Sequence, residues 1–313
     1  MQNQHIRKAT SNDINALQNI WSIVFDYTDM ALFFESFYAP ELTLVYEKEN
    51  KIIAMGFLLP VGNLLLKQDD CVPCAMIYAV ATLPESRGLG AGSSISAMLI
   101  ELAQAQGYTA VVLQPADDDL FGFYSKHTKM REWFYGTEYI TSPNEADFAR
   151  VPNNLDDIKS ERISTAEYIK IRETLLADIP HIKYNFNTVD HQKKLCDLYG
   201  GGLYKFTTSH GDACAVIERQ SDELVCVKEL LCPKISDLET IQTVYNRIIS
   251  NIAFNYPATQ YIIRTPINNE LTVALNSESV IIKKRFGMLT LTNDKQYEIH
   301  NKNALPWYGL AFD

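Results

Sequence analysis

Three of the chain's 14 glycines, Gly88, Gly90 and Gly92, fall within five residues of the stretch VATLPESRGLGAGSSISAMLIELA. Before them runs a short apolar segment; after them Ile95, Met98, Leu99 and Leu102 recur at helical spacing. A strand, a glycine-rich turn and a helix in that order present backbone N–H groups and a helix N-terminus to an anion. Two phosphate-binding patterns of this kind can be excluded on spacing. A P-loop needs GxxxxGK[ST], and no Lys followed by Ser or Thr stands here. A dinucleotide loop needs GxGxxG in the first βαβ unit, but Ser93 occupies the third glycine position and several strands precede the turn.

The elements that must hold this turn read as an alternating β/α order. IRKAT is a strand, and SNDINALQNIWSIVFD carries helical periodicity with Ser11 or Asn12 as its N-cap. LTLVYEKENKIIAMGFLL is a hairpin around the charged tip Glu47–Lys51, and CAMIYAVATL is the strand before the glycines. Gly107 closes the helix that follows them. YTAVVLQP is the next strand, and DDDLFGFYSKH a short helix. Residues 141–161 lack periodicity and are rich in Pro, Asn and Asp, so a linker is expected at 146–160 between domains 1–145 and 161–313. The same element order then repeats, with ELVCVKELLCP in the place of CAMIYAVATLP. Where the first half has Pro84-Glu-Ser-Arg-Gly-Leu-Gly-Ala-Gly92, the second has Pro233-Lys-Ile-Ser-Asp-Leu-Glu239. If the glycines bind a ligand, one site is expected, in the first half.

Bulk properties narrow the class. A chain of 313 residues, 47% hydrophobic and 21% charged, builds packed domains. No signal peptide or membrane span is legible, so a cytoplasmic protein without a membrane partner is expected. A net charge of −10 with no Lys/Arg-rich block argues against nucleic acid. Six cysteines include a lone Cys71-Val-Pro-Cys74, which has no second ligand pair for a structural zinc. Free thiols and no metal are expected.

Arg87-x-x-Gly90-x-Gly92 matches R/Q-x-x-G-x-G/A, the acyl-CoA pyrophosphate loop of the GNAT acetyltransferase superfamily, and the whole segment resembles that family's strand 4, loop and helix 3. The fold this implies is α/β (α+β): tandem GNAT-like domains, each with a mixed, mostly antiparallel central sheet flanked by helices, the second lacking the CoA loop. The resemblance implies acetyl-CoA as donor. The backbone of Val80 and Thr82 would meet the pantetheine arm, and the amides of Gly88, Leu89, Gly90, Ala91, Gly92 and Ser93 the pyrophosphate, with Arg87 shaping the loop. FGFYSKHTKM is similar to the family's "xxFYxKxGF", which assigns Tyr124 the protonation of the departing thiolate. A phenol with a pKa near 10 suits that transfer. The family's Gly-Phe is missing at 127–130. Asp117, Asp118, Asp119 and His127 lie nearby; an acidic turn of this kind is ordinarily a solvated one, and strand CAMIYAVATL carries no base.

The glycine-less second half makes the chain similar to the enhanced intracellular survival (Eis) type, in which a C-terminal carboxylate serves as base. ALPWYGLAFD would supply Asp313 in that role. The expected activity is acyl transfer, from acetyl-CoA and not from aminoacyl-tRNA, to an amine acceptor by direct attack; a homo-oligomer is compatible with it. The alternative is a non-catalytic acyl-CoA sensor or scaffold.

Overall fold

The computed structural model describes residues 5–25, 29–67, 70–142, 158–267, 280–293, 305–310 and 312. By packing they divide into two units, Met1–Trp133 with Phe286–Glu298, and Phe134–Arg285 with Ile299–Phe312. The expected linker falls mostly outside the described residues.

The first unit runs β1 (Ile6–Lys8), α1 (Ile14–Val24), α2 (Met30–Phe37), β2 (Thr43–Lys48), β3 (Lys51–Lys67), β4 (Asp70–Thr82), α3 (Ala91–Ala105), β5 (Ala110–Leu113) and α4 (Asp119–Thr128). Its strands lie in the order β1-β2-β3-β4-β5, and Met288–Leu291 then pairs antiparallel with β5. The β4–β5 pair is parallel; β1–β2, β2–β3 and β3–β4 are antiparallel. The β2–β3 hairpin turns on Glu49 and Asn50, both at positive φ (52° and 62°), the backbone that matches the twist of paired strands. Asp13, and not Ser11 or Asn12, is the N-cap of α1, and the 3-10 turn Ser11–Asp13 that leads into it has as its own N-cap Thr10. Its amide donates to Asp13 Oδ2 at 2.7 Å, and the Asp13 carboxylate also takes two N–H groups of Arg7 at 2.8 and 3.0 Å. The start of α1 is thus tied back to β1.

Helix α3 lies on the sheet at Gly56. A Cβ there would stand 2.7 Å from Ile95 Cγ2 and 3.0 Å from Leu99 Cδ1, so this strand glycine lets the helix approach. Gly56→Ala should cost about 1–3 kcal/mol by overpacking, and a second change, Ile95→Ala, should offset part of the loss. Thermal melts of both variants check this; a neutral Gly56→Ala would show that α3 adjusts freely.

The second unit runs β6 (Arg131–Thr141), β7 (Lys159–Arg162), α5 (Thr165–Leu175), β8 (His181–Tyr184), α6 (Phe186–Leu198), β9 (Gly202–Thr208), β10 (Gly211–Arg219), β11 (Leu224–Leu231), α7 (Leu238–Asn255) and β12 (Gln260–Thr265). Its strand order is β6-β12-β11-β10-β9-β7, with β11–β12 parallel. This repeats the first unit's plan. One face packs α7 on Ala213, Ala215, Ile217, Val225 and Val227. Alternate residues on the other face include Cys214, Glu218 and Glu229, all buried. No described helix is long and apolar enough to cross a membrane.

Candidate active site

Strands β4 and β5 pair only from Cys74 to Met76, opposite Ala110 to Val112. Beyond Met76, β4 continues to Thr82 along β3, and the register slips: Tyr78 faces Phe57 while Ala81 faces Met55. Ala79 and Val80 therefore stand opposite the single Gly56, and Ala79 takes φ +46°, a strained value for a residue with a Cβ. Past Met76, β4 pairs with β3 and not with β5, and Val80 and Thr82 stand in that stretch.

The glycine turn follows directly. Pro84–Ser86 forms a 3-10 turn closed by the Arg87 amide on the Pro84 carbonyl at 3.3 Å. Gly88 and Gly90 then take φ +85° and +78°, which an L-residue adopts only with strain. Gly90 is the N-cap of α3, and the Ser94 amide donates to its carbonyl at 3.0 Å. The amides of residues 91–93 are consequently the donors that a helix start leaves without intrahelical partners. The Ser93 and Ser96 hydroxyls turn back to the Gly90 and Gly92 carbonyls, at 2.9 and 2.8 Å, and cap none of these amides. In the second unit the counterpart helix α7 is capped: Asp237 Oδ2 accepts from the Thr240 amide at 2.8 Å.

Space distinguishes these glycines from Gly56. A Cβ at Gly88 would meet nothing within 4 Å, and at Gly90 only Ser93 Oγ at 3.8 Å. At Gly92 it would reach Thr82 Oγ1 at 3.5 Å, ordinary contact. The protein itself does not fill the loop's outer side. Ala91 is buried beneath it, and Arg87 and Leu89 are exposed. First-turn amides without intrahelical partners, a positive helix end and a stretch of β4 that β5 does not pair suit an extended ligand with an anionic group.

Tyr124 belongs to the same neighbourhood. It packs half-buried against the core cluster that holds Ala91 and Ile95 of α3, with Val80 packed on it too. Burial, then the negative charge of Asp117, pushes its hydroxyl up to about 12, so it is a proton donor throughout the neutral range. Asp117 itself caps α4, its Oδ1 accepting from the Leu120 amide at 3.0 Å, and Asp117, Asp118 and Asp119 are exposed. His127 is exposed against Phe123. The missing Gly-Phe finds its explanation at the end of α4. Lys129 takes the left-handed conformation that a glycine would normally hold there, at φ +58°, and Met130 is buried in the core. Lys129–Met130 stands one residue later than the Gly-Phe of the family spacing. Asp313 lies outside the described residues, whereas Trp307, Tyr308 and Leu310 before it are buried in the second unit. The bulge at Ala79 has no signal in the letters; Gly56 did, as a glycine inside a strand. All six cysteines are free thiols, and among the described residues no His/Cys/Asp/Glu group is arranged to hold a metal.

Residues 5–127 match the family model described as acetyltransferase (GNAT) domain. That stretch is a GNAT domain. No curated protein matches the sequence. Solved structures carry the fold likeness over the remainder of the chain. A GCN5-related N-acetyltransferase from Anabaena variabilis is similar over 92% of this chain and 72% of its own, with TM-score 0.68 at 16% identity. Eis1 from Mycobacterium abscessus is similar over 92% and 74%, with TM-score 0.60 at 12% identity. A tandem GNAT protein from the clavulanic acid biosynthesis pathway is similar over 92% and 98%, with TM-score 0.55 at 13% identity. The chain has the tandem GNAT fold, and its GNAT domain carries the glycine loop that the second unit lacks.

Proposed function

We propose that the protein is an acetyl-CoA-dependent N-acyltransferase that acetylates a primary amine. The observation that carries this reading is the open glycine turn on α3 beside the bulged, unpaired edge of β4, in a domain of the GNAT family. The amides of residues 88–93 would hold the donor's pyrophosphate, Arg87 would set the loop, and the backbone of Val80 and Thr82 would hold the pantetheine arm as an added strand.

The reaction follows from these placements. The amine's lone pair attacks the thioester carbonyl carbon, and the C=O pair moves to oxygen, where a backbone amide of β4 stabilises it. The tetrahedral species collapses, the C–S bond breaks, and the sulfur takes the proton of the Tyr124 hydroxyl. The attacking nitrogen gives up a proton to a base. We assign that role to the Asp313 carboxylate on the family resemblance alone.

The test is a titration with acetyl-CoA followed by turnover against a panel of amino acids, polyamines, aminoglycosides and lysine peptides, read as free CoA released. Saturable binding with amine-dependent release supports the enzyme. Binding without release on any amine supports the sensor reading instead, and no binding at millimolar acetyl-CoA removes both.

A further inference from the structure

The bulge in β4 decides which way its side chains face. Neighbours two apart on a strand share a face, so Tyr78 and Val80 would ordinarily lie on the same side. Here Ala79 and Val80 both stand opposite Gly56, and the alternation is reset. Ala75, Ile77 and Val80 pack with the cluster beneath α3, where Tyr124 also packs. Tyr78, whose strand partner is Phe57, takes the other face. There its ring centroid lies 5.3 Å from that of Phe33 in α2 and 6.2 Å from that of Trp21 in α1.

That face is an aromatic layer. Trp21, Phe33 and Phe57 are each 1% exposed and fill one another's flanks, with the Phe33 ring 4.5 Å from Trp21 and 5.0 Å from Phe57. Phe37 leans on Phe33 at 6.1 Å. Phe37 and Tyr78 are only half-buried, so both keep ring surface that the protein does not cover. Trp21 Nε1 is buried without a hydrogen-bond partner among the described residues. The layer thus offers apolar faces and little else, and the hydroxyl or ammonium groups of a polyol or polycation laid on it would lose water for nothing in return.

Resting on the acyl-transfer reading above, the direction of the donor along β4 is set. With its pyrophosphate at residues 88–93 and its pantetheine arm at Thr82 and Val80, the thioester comes next, beside Tyr78. Tyr124 serves the sulfur from the α3 face, which leaves the aromatic face for the acceptor. We propose that the acceptor is a primary amine borne on an aromatic body, an arylalkylamine, and that the Tyr78 ring is the specificity-determining surface on which that body stacks. Offset or edge-to-face contact between rings adds to the gain from burial alone, so an aromatic body outcompetes an aliphatic one of similar size. The nitrogen attacks as the free amine and passes its proton to a base, as in the reaction already given.

The test compares phenethylamine with hexylamine, spermidine and kanamycin on the full chain, read as CoA released. For phenethylamine kcat/KM should exceed that for the other three, by roughly tenfold or more over the two polycations. Tyr78→Ala should raise the phenethylamine KM roughly tenfold while the acetyl-CoA Kd holds, and raise the hexylamine KM by a smaller factor. Tyr78→Phe, which keeps the ring, should keep the wild-type KM. A wild type that prefers hexylamine, spermidine or kanamycin overturns the proposal. So does a Tyr78→Ala loss shared equally by all four amines, or one that Tyr78→Phe reproduces. Where Tyr78→Ala no longer binds acetyl-CoA, Tyr78→Leu, which fills the space without a ring, carries the same comparison. If the wild type releases no CoA with any amine, the acyl-transfer reading fails separately, and calorimetry of phenethylamine against the CoA-bound protein decides. Binding that weakens in Tyr78→Ala and persists in Tyr78→Phe then supports the aromatic site; absent or unaltered binding overturns it.

Discussion

Replacing Gly90 by valine removes the stabilisation that acetyl-CoA gives the protein, while replacing Gly107 by valine leaves it intact. The two glycines are matched in every respect but position. Gly90 has φ +78° and Gly107 φ +86°, and neither has a neighbour that a Cβ would strike. A β-branched residue at either place is strained by about 1–3 kcal/mol, so both variants should melt lower by similar amounts. They sit at opposite ends of α3, about 20 Å or more apart along the helix. Only at Gly90, the N-cap of α3, would the new side chain stand beside the first-turn amides. A donor at a hundred times its Kd stabilises the wild type by about 2.7 kcal/mol, which a thermal-shift titration resolves easily. Equal loss of the shift in both variants would mean that the loop binds through general rigidity and not through the space at residue 90.

The second large effect is expected at Tyr124. Phenylalanine preserves the packing against the core beside α3 and deletes the hydroxyl proton. Loss of a general acid typically lowers kcat by about 10²–10⁴-fold, with acetyl-CoA affinity unchanged because the hydroxyl acts only as the C–S bond breaks. The pH profile gives an independent check. Burial and Asp117 raise the hydroxyl to about 12, so the protonated donor persists above the ordinary phenol range. The wild-type rate should show no decline from this group near pH 10. A Tyr124→Phe enzyme with full kcat would assign the proton to water or another residue.

The backbone of the candidate site was legible where it depends on letters with few other uses. Positive φ at 88 and 90 requires glycine, and the helix after the loop announces itself by its apolar period. The turn at Glu49–Asn50 was legible by another signal, the charged tip Glu47–Lys51 between two apolar strands. The features that were missed depend on context. Ala79 adopts a left-handed bulge because β3 offers it only Gly56 as a partner, and nothing about an alanine signals that. Lys129 ends α4 in a conformation usually left to glycine, which hid the family pattern one residue downstream. The cap of α1 falls at Asp13, after a 3-10 turn capped by Thr10, and Arg7, in a different element, holds the Asp13 carboxylate. Met288–Leu291 pairs with β5 across some 175 residues of chain, a partnership that local periodicity cannot express. ELVCVKELLCP was read as a strand, as found, but the adjacency of Lys228 and Glu229 inside it was passed over. Charges in a strand interior ask for a buried partner.

The Asp237 cap on α7 has a further meaning when the two halves are compared as two copies of one element order. At the start of α7 the chain supplies its own anion, covalently and at all times; at the start of α3 it supplies none. A helix of the first kind gains nothing when a phosphate-bearing metabolite becomes abundant. One of the second kind gains in proportion to the logarithm of that abundance. On the acetyl-CoA reading, a rise in donor abundance would therefore add stability through the start of α3 and none through the start of α7.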